Sequence, residues 1–265
     1  MLLLLAGALR PPGAASDTPM DQMVDPRLYR DLLAEYVVRL PLEGGGFETR
    51  FDYAAFHASP DQEAVRGILR EIFLAVEPEA LGEDARRAWA VNAYNFLVID
   101  RVVESFLGAD GDTLASIADV GEGSFAVFDD PAHEVGGHTY SLNDFEKHFL
   151  FLDVDRGSGS MPGRLDPRLH FALVCAAKGC PALWPEPFTA GELDDRLDAV
   201  TRNALSSPRQ LRIDGDVVHV SQVFSWYAAD FGGEYGVRGF LQEHAGIGER
   251  RVAADIEWDW SLNRP

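Results

Sequence analysis

Residues 88–99 read Ala88-Trp89-Ala90-Val91-Asn92-Ala93-Tyr94-Asn95-Phe96-Leu97-Val98-Ile99, with Asn92, Tyr94 and Asn95 as the only polar members. A run this long and this apolar, opened by Glu83-Asp84 and continued by polar residues toward Phe106, predicts one helix over about 84–106. A helix that is apolar nearly all round is surrounded by protein, so this one predicts the centre of the fold. Asn92 and Asn95 stand three apart and share a face. A buried amide without partners costs a few kcal/mol, so specific groups must meet both.

On either side the punctuation is mixed. Asp25-Pro26 and Ser59-Pro60-Asp61-Gln62 read as helix starts with an early proline, each ahead of an amphipathic run. Gly44-Gly45-Gly46 is a loop before a strand expected at 47–53. Short strands are expected at 125–128 and 139–142, and Ser141-Leu142-Asn143-Asp144 reads as a capping box opening a helix that carries Glu146. Thr189-Ala190-Gly191-Glu192 opens another helix. Leu211–Ile213 and Val217–Val220 form a hairpin turning at Asp214-Gly215, and a last helix falls near 237–242. Helices and strands do not alternate strictly and hairpins recur. The expected class is therefore α+β: one helix-rich domain over 24–265, with a small, mainly antiparallel sheet around the buried central helix.

Residues 1–23 begin with Met1-Leu2-Leu3-Leu4-Leu5, an apolar run without a preceding cation and interrupted by Arg10-Pro11-Pro12. It reads as an atypical export signal, with a cytoplasmic protein as the alternative. The run is too short to span a bilayer. The formal charge is −20, from 43 acidic and 23 basic residues. That excess argues against nucleic-acid backbones and anionic membrane surfaces as partners, and leaves a small molecule or peptide.

The chemistry concentrates in Asp166–Pro181, which holds both cysteines and His170. A cysteine with a nearby histidine suggests a thiol nucleophile with an imidazole base. If His170–Cys175 is a strand, the two side chains point to opposite faces roughly 16 Å apart. Cys180, beyond the turn at Lys178-Gly179, is then the better nucleophile, with Lys178 favouring its thiolate, or else the disulfide partner of Cys175. His170 is placed to hydrogen-bond Glu146 or an asparagine. Trp226, Tyr227 and Asp230, in Trp226-Tyr227-Ala228-Ala229-Asp230-Phe231, read as pocket lining or as part of an aromatic core. His133, His138 and His148 match no metal spacing, and no phosphate-binding loop is present, so neither metal nor cofactor is expected.

Four stretches occurring in order, AWAVNAYNFLVI at 88–99, YSLNDFE at 140–146, DPRLHFALVCAAKGCPAL at 166–183 and WYAADF at 226–231, resemble the domain of unknown function 547 family, over about 60–245. Asn92, Tyr94, Asn95, Glu146, His170 and Cys175 fall on its most characteristic positions. Where that family usually reads IEH, this chain has Phe145-Glu146-Lys147, with His148 one place later. The resemblance carries no established reaction, and its exported bacterial members favour the export reading. Two functions stand. One is a hydrolase or acyl transferase in which His170, Cys175, Cys180 and Glu146 act and Asn92, Tyr94, Asn95, Lys178, Tyr227 and Asp230 bind. The other is a non-catalytic ligand- or protein-binding domain whose buried Asn, His and Glu network is structural.

Overall fold

The first described element, α1 (Arg27–Tyr36), buries Tyr29, Leu32, Leu33 and Tyr36, the stripe expected of a helix lying on a core. A computed structural model of the protein describes residues 27–108, 112–151 and 165–265. The leader, the Asp25-Pro26 cap and the glycine-rich loop before Leu165 lie outside them. Strands β1 (Val37–Pro41) and β2 (Phe47–Phe51) pair antiparallel across a turn in which Gly45 and Gly46 take positive φ. Asp52 caps α2 (Tyr53–Ala58), its carboxylate accepting the Ala55 N–H at 2.9 Å.

Helix α3 (Gln62–Leu74) does not use the capping box read at Ser59. Ser59 closes α2 instead, and Asp61 stands at the α3 N-cap without a side-chain bond. The short spacing between two helices overrides the local signal.

Helix α4 (Glu83–Glu104) is the central element: every residue from Ala88 to Asp100 is buried. The carboxylate of Asp100 is paired by Arg66 at 2.6 Å and by Arg70, so α3 is pinned to α4 by charge as well as by packing. Phe73, Phe96 and Tyr29 meet edge-on or tilted around this seam.

Residues 125–128 depart from expectation. Instead of a strand, Phe125 sits in the left-handed region at φ 64° and opens the short helix α5 (Ala126–Asp129). A four-residue apolar run carries no readable period, so packing chose. Strands β3 (His133–Val135) and β4 (His138–Tyr140) form a hairpin over Gly136 and Gly137. Ser141 caps α6 (Leu142–Phe149) through the Asp144 N–H at 3.1 Å, as the sequence implies.

His170 lies on a 3-10 turn (Pro167–Phe171), followed by irregular chain to Pro181. The strand expected from His170 to Cys175 is not formed. Asp166 accepts the Arg168 N–H at 3.0 Å and Pro167 supplies a helical φ, so the segment starts as a turn.

Helices α7 (Leu193–Ser206), α8 (Val223–Trp226) and α9 (Gly233–Ala245) complete the helical layer. Strands β5 (Leu211–Asp214) and β6 (Val217–Ser221) form the expected hairpin, and β7 (Arg251–Ile256) adds a parallel neighbour to β6. The class is α+β with a buried central helix, the strands divided among three small, mainly antiparallel sheets. Buried apolar residues form one continuous cluster from Tyr29 to Leu262. No helix among the described residues is long and apolar enough to cross a membrane.

Candidate functional site

The two asparagines of α4 act as backbone clamps. Asn95 donates to the Ala172 carbonyl at 2.9 Å and accepts the Val174 N–H at 3.0 Å. Asn92 donates to the Phe188 carbonyl at 2.8 Å and accepts the Phe188 N–H at 2.9 Å. A side-chain amide carries both a donor and an acceptor, so it can replace the neighbouring strand that an irregular buried segment lacks. Through these bonds α4 fixes the chain that carries His170 and both cysteines.

The C-terminal tail fixes the same chain from the other side. The N–H groups of Lys178 and Gly179 donate to the carbonyls of Ser261 and Asp259 at 2.8 Å, and Asn263 donates to Ala176 at 2.7 Å. Ala176 holds φ 63°, costly for a residue with a Cβ. A Cβ placed on Gly179 would come within 2.7 Å of the Trp258 ring, so glycine is what allows the tail to lie so close. This pairing swings Trp258 and Trp260 over the segment.

A cleft of about 280 Å³ results. Its floor is Tyr94 from α4, Glu146 from α6 and His170; Leu173, Val174, Cys175, Cys180 and Pro181 form one side. Trp226, Tyr227, Trp258 and Trp260, with Phe125 and Phe128, form the wall, and Asp129 and Asn143 stand at the rim. The Trp226 ring lies 5.3 Å from Trp258 and 6.1 Å from Trp260, and Phe125 meets Trp260 edge-on at 4.6 Å. Trp226 is 48% exposed, a large apolar surface to leave to water.

His170 Nε2 lies 2.9 Å from Asp230 Oδ2. The ring is stacked between Phe151 at 4.4 Å and Tyr227 at 4.2 Å. Burial holds its pKa down to about 4 although Asp230 pulls the other way. The imidazole is therefore neutral at pH 7. A carboxylate only accepts, so Nε2 carries the proton and Nδ1 the lone pair. Burial pushes Glu146 up to about 7, against the hydrogen bond it receives from the Tyr94 hydroxyl. Burial and the neighbouring carboxylates of Glu146 and Asp230 push Tyr227 up to about 12.

Of the residues singled out from sequence, Tyr94, Glu146, His170, Cys175, Cys180 and Tyr227 meet in this cleft, and Asp230 reaches it through His170. The partner of His170 is Asp230, while Glu146 is engaged with Tyr94. Asn92 and Asn95 line no part of the cleft, and both amides are spent on backbone. Lys178 borders a separate small cleft with Glu48 and Arg50. Cys175 and Cys180 are joined as a disulfide, with Cα atoms 6.3 Å apart.

Trp258 and Trp260 escaped the sequence reading, whereas Trp226 was read there as pocket lining or aromatic core and stands in the cleft. A signal existed: two tryptophans two apart in a polar tail fall on one face of an extended segment. What that face would cover could not be read.

Fold and site together define an α+β domain with an acidic, tryptophan-walled cleft bordered by a disulfide. The model of a family described as protein of unknown function, DUF547, matches residues 78–204, so the resemblance holds across that span. The match takes in Tyr94, Glu146, His170 and both cysteines, whereas Tyr227, Asp230 and all three wall tryptophans lie beyond it. No curated protein and no solved structure matches the chain.

Proposed function

We propose that the chain is a ligand-binding domain whose cleft takes a small molecule. One observation carries this reading: the half-exposed Trp226, backed by Trp258 and Trp260, stands over a concave floor with Glu146 at its base. Concave, largely apolar sites with a few convergent polar groups are where small ligands bind. The clamps on Asn92 and Asn95 support it, because they make part of the buried polar network structural. The bridge between Cys175 and Cys180 also supports it, since a bridged sulfur is no nucleophile. A disulfide suits an oxidising compartment, in keeping with export.

The test is a chemically mixed fragment library, read by intrinsic tryptophan fluorescence. Hits that saturate, and that weaken on Trp226→Ala, support the reading. A library without saturable hits, or hits indifferent to both Trp226→Ala and Glu146→Gln, overturns it.

A second reading, hydrolase or acyl transferase, rests on Glu146. A carboxyl near neutrality beside a neutral His–Asp pair has the make-up of a general acid and base. Thiol labelling of native protein with mass mapping, repeated on His170→Ala, tests the thiol version. Unreactive thiols in both sink it.

A further inference from the structure

We propose that the cleft selects an organic cation, an alkylated or quaternary ammonium group seated against the tryptophan wall with Glu146 and Asp129 as its counter-charges. This deepens the ligand-binding reading and rests on it.

The first argument is the sign of the lining. Asp129 and Glu146 are its acids, Glu146 carrying its charge above about pH 7, and no Lys or Arg contributes to the lining among the described residues. The cationic Lys178 and Arg50 stand on the separate cleft instead. An anionic ligand would lose its hydration and meet carboxylates with no Lys or Arg to offset them, which costs several kcal/mol. The chain's charge of −20 adds a long-range field of the same sign, drawing cations toward the surface.

The second argument separates a cation from a neutral polyhydroxyl ligand such as a sugar. A sugar needs donors as well as acceptors from its site. Here three side-chain donors of the floor and rim are already committed. Asn143 gives its amide to Asp129 at 2.8 Å, Tyr94 gives its hydroxyl to Glu146, and His170 gives Nε2–H to Asp230 at 2.9 Å. Beyond the indole N–H groups and the Tyr227 hydroxyl of the wall, what the cleft offers is carboxylate lone pairs and aromatic faces, and both attract positive charge. Tryptophan is the strongest of the aromatic partners for a cation, and an ammonium that has shed water against several rings gains most.

The third argument is size. A space of about 280 Å³ sits at the small end of ligand cavities, matching a compact head group better than a chain of rings.

The test uses choline, its uncharged isostere 3,3-dimethylbutan-1-ol, the anion 3,3-dimethylbutanoate and methyl β-glucoside, each titrated into the full chain at about pH 8, where Glu146 is ionised, and followed by tryptophan fluorescence and calorimetry. Choline is expected to bind saturably and at least about tenfold more tightly than the isostere, with no measurable binding of the anion. Trp226→Ala is expected to weaken choline at least about fivefold and Trp226→Phe to restore part of it, while Glu146→Gln weakens choline but not the isostere. Isostere binding equal to that of choline, or glucoside or anion binding in place of choline, overturns the cation proposal and leaves the ligand-binding reading standing. Failure of all four, together with failure of the fragment library, overturns both. Circular dichroism of each variant separates lost binding from lost fold.

Discussion

His170 and Asp230, sixty residues apart in the chain, meet through Nε2 and Oδ2 at 2.9 Å, and the imidazole between them and the aromatic rings is held neutral. Glu146, in the same cleft, is held in the opposite sense: its carboxyl keeps its proton to about pH 7. The two groups therefore act on stability with opposite signs.

Unfolding frees His170 to take up a proton at about pH 6.5, whereas the native state resists until about pH 4, so its share of stability is lost as pH falls through that window. Glu146 loses its proton near pH 4.5 when unfolded but only near 7 when folded, so its share is lost as pH rises between them. Relative to wild type, Glu146→Gln should gain stability from pH 4.5 to 7, and His170→Asn should gain it from pH 6.5 to 4. Each difference should be on the order of 1–3 kcal/mol. Urea unfolding at a series of pH values checks both, and parallel curves for variant and wild type would remove the assignment.

Asn95→Ala leaves the Ala172 carbonyl and the Val174 N–H without partners inside the protein. A loss of about 2–4 kcal/mol follows from two stranded groups. Asn95→Asp keeps the acceptor for Val174 but turns an anion toward the Ala172 carbonyl, so it should be no milder. Denaturant midpoints decide this, and a loss under about 1 kcal/mol for Asn95→Ala would show that water replaces the amide.

The Cys175–Cys180 bridge closes a short loop, so in the chain-entropy account it contributes about 2 kcal/mol. Native, unreduced protein should show no thiol titre with a mass-tagged maleimide. Reduction should release both thiols and lower the melting temperature, and Cys175→Ser with Cys180→Ser should reproduce that decrease. A full thiol titre in unreduced protein would contradict the bridge.

Gly179→Ala places a methyl group against the Trp258 ring. The ring must move or the tail must lift, so tryptophan emission should shift and choline affinity, if present in wild type, should fall. Stability should drop by about 1–3 kcal/mol. An unchanged emission spectrum would show that the tail gives way without disturbing the wall.

Local pattern carried much of the fold. The apolar run at Ala88–Ile99 announced a buried helix, Ser141 announced the start of α6, and Asp214-Gly215 announced the β5–β6 hairpin, because each depends on residues within a turn or two of one another. The same logic failed at Phe125–Phe128 and at His170–Cys175. A short, mostly apolar run looks alike in a strand and in a turn, and only its neighbours supply the backbone partners that choose between them.

The cleft divides along the same line. Glu146, His170, Tyr94 and the cysteines stood out by residue type and by resemblance, since chemistry-bearing side chains are visible one at a time. That Asn95 serves a carbonyl, that Asp230 rather than Glu146 meets His170, and that Trp258 and Trp260 return from the tail to wall the site are long-range contacts. Nothing in a linear pattern encodes which distant segment completes a buried hydrogen bond; only the folded chain, satisfying all of them at once, decides it.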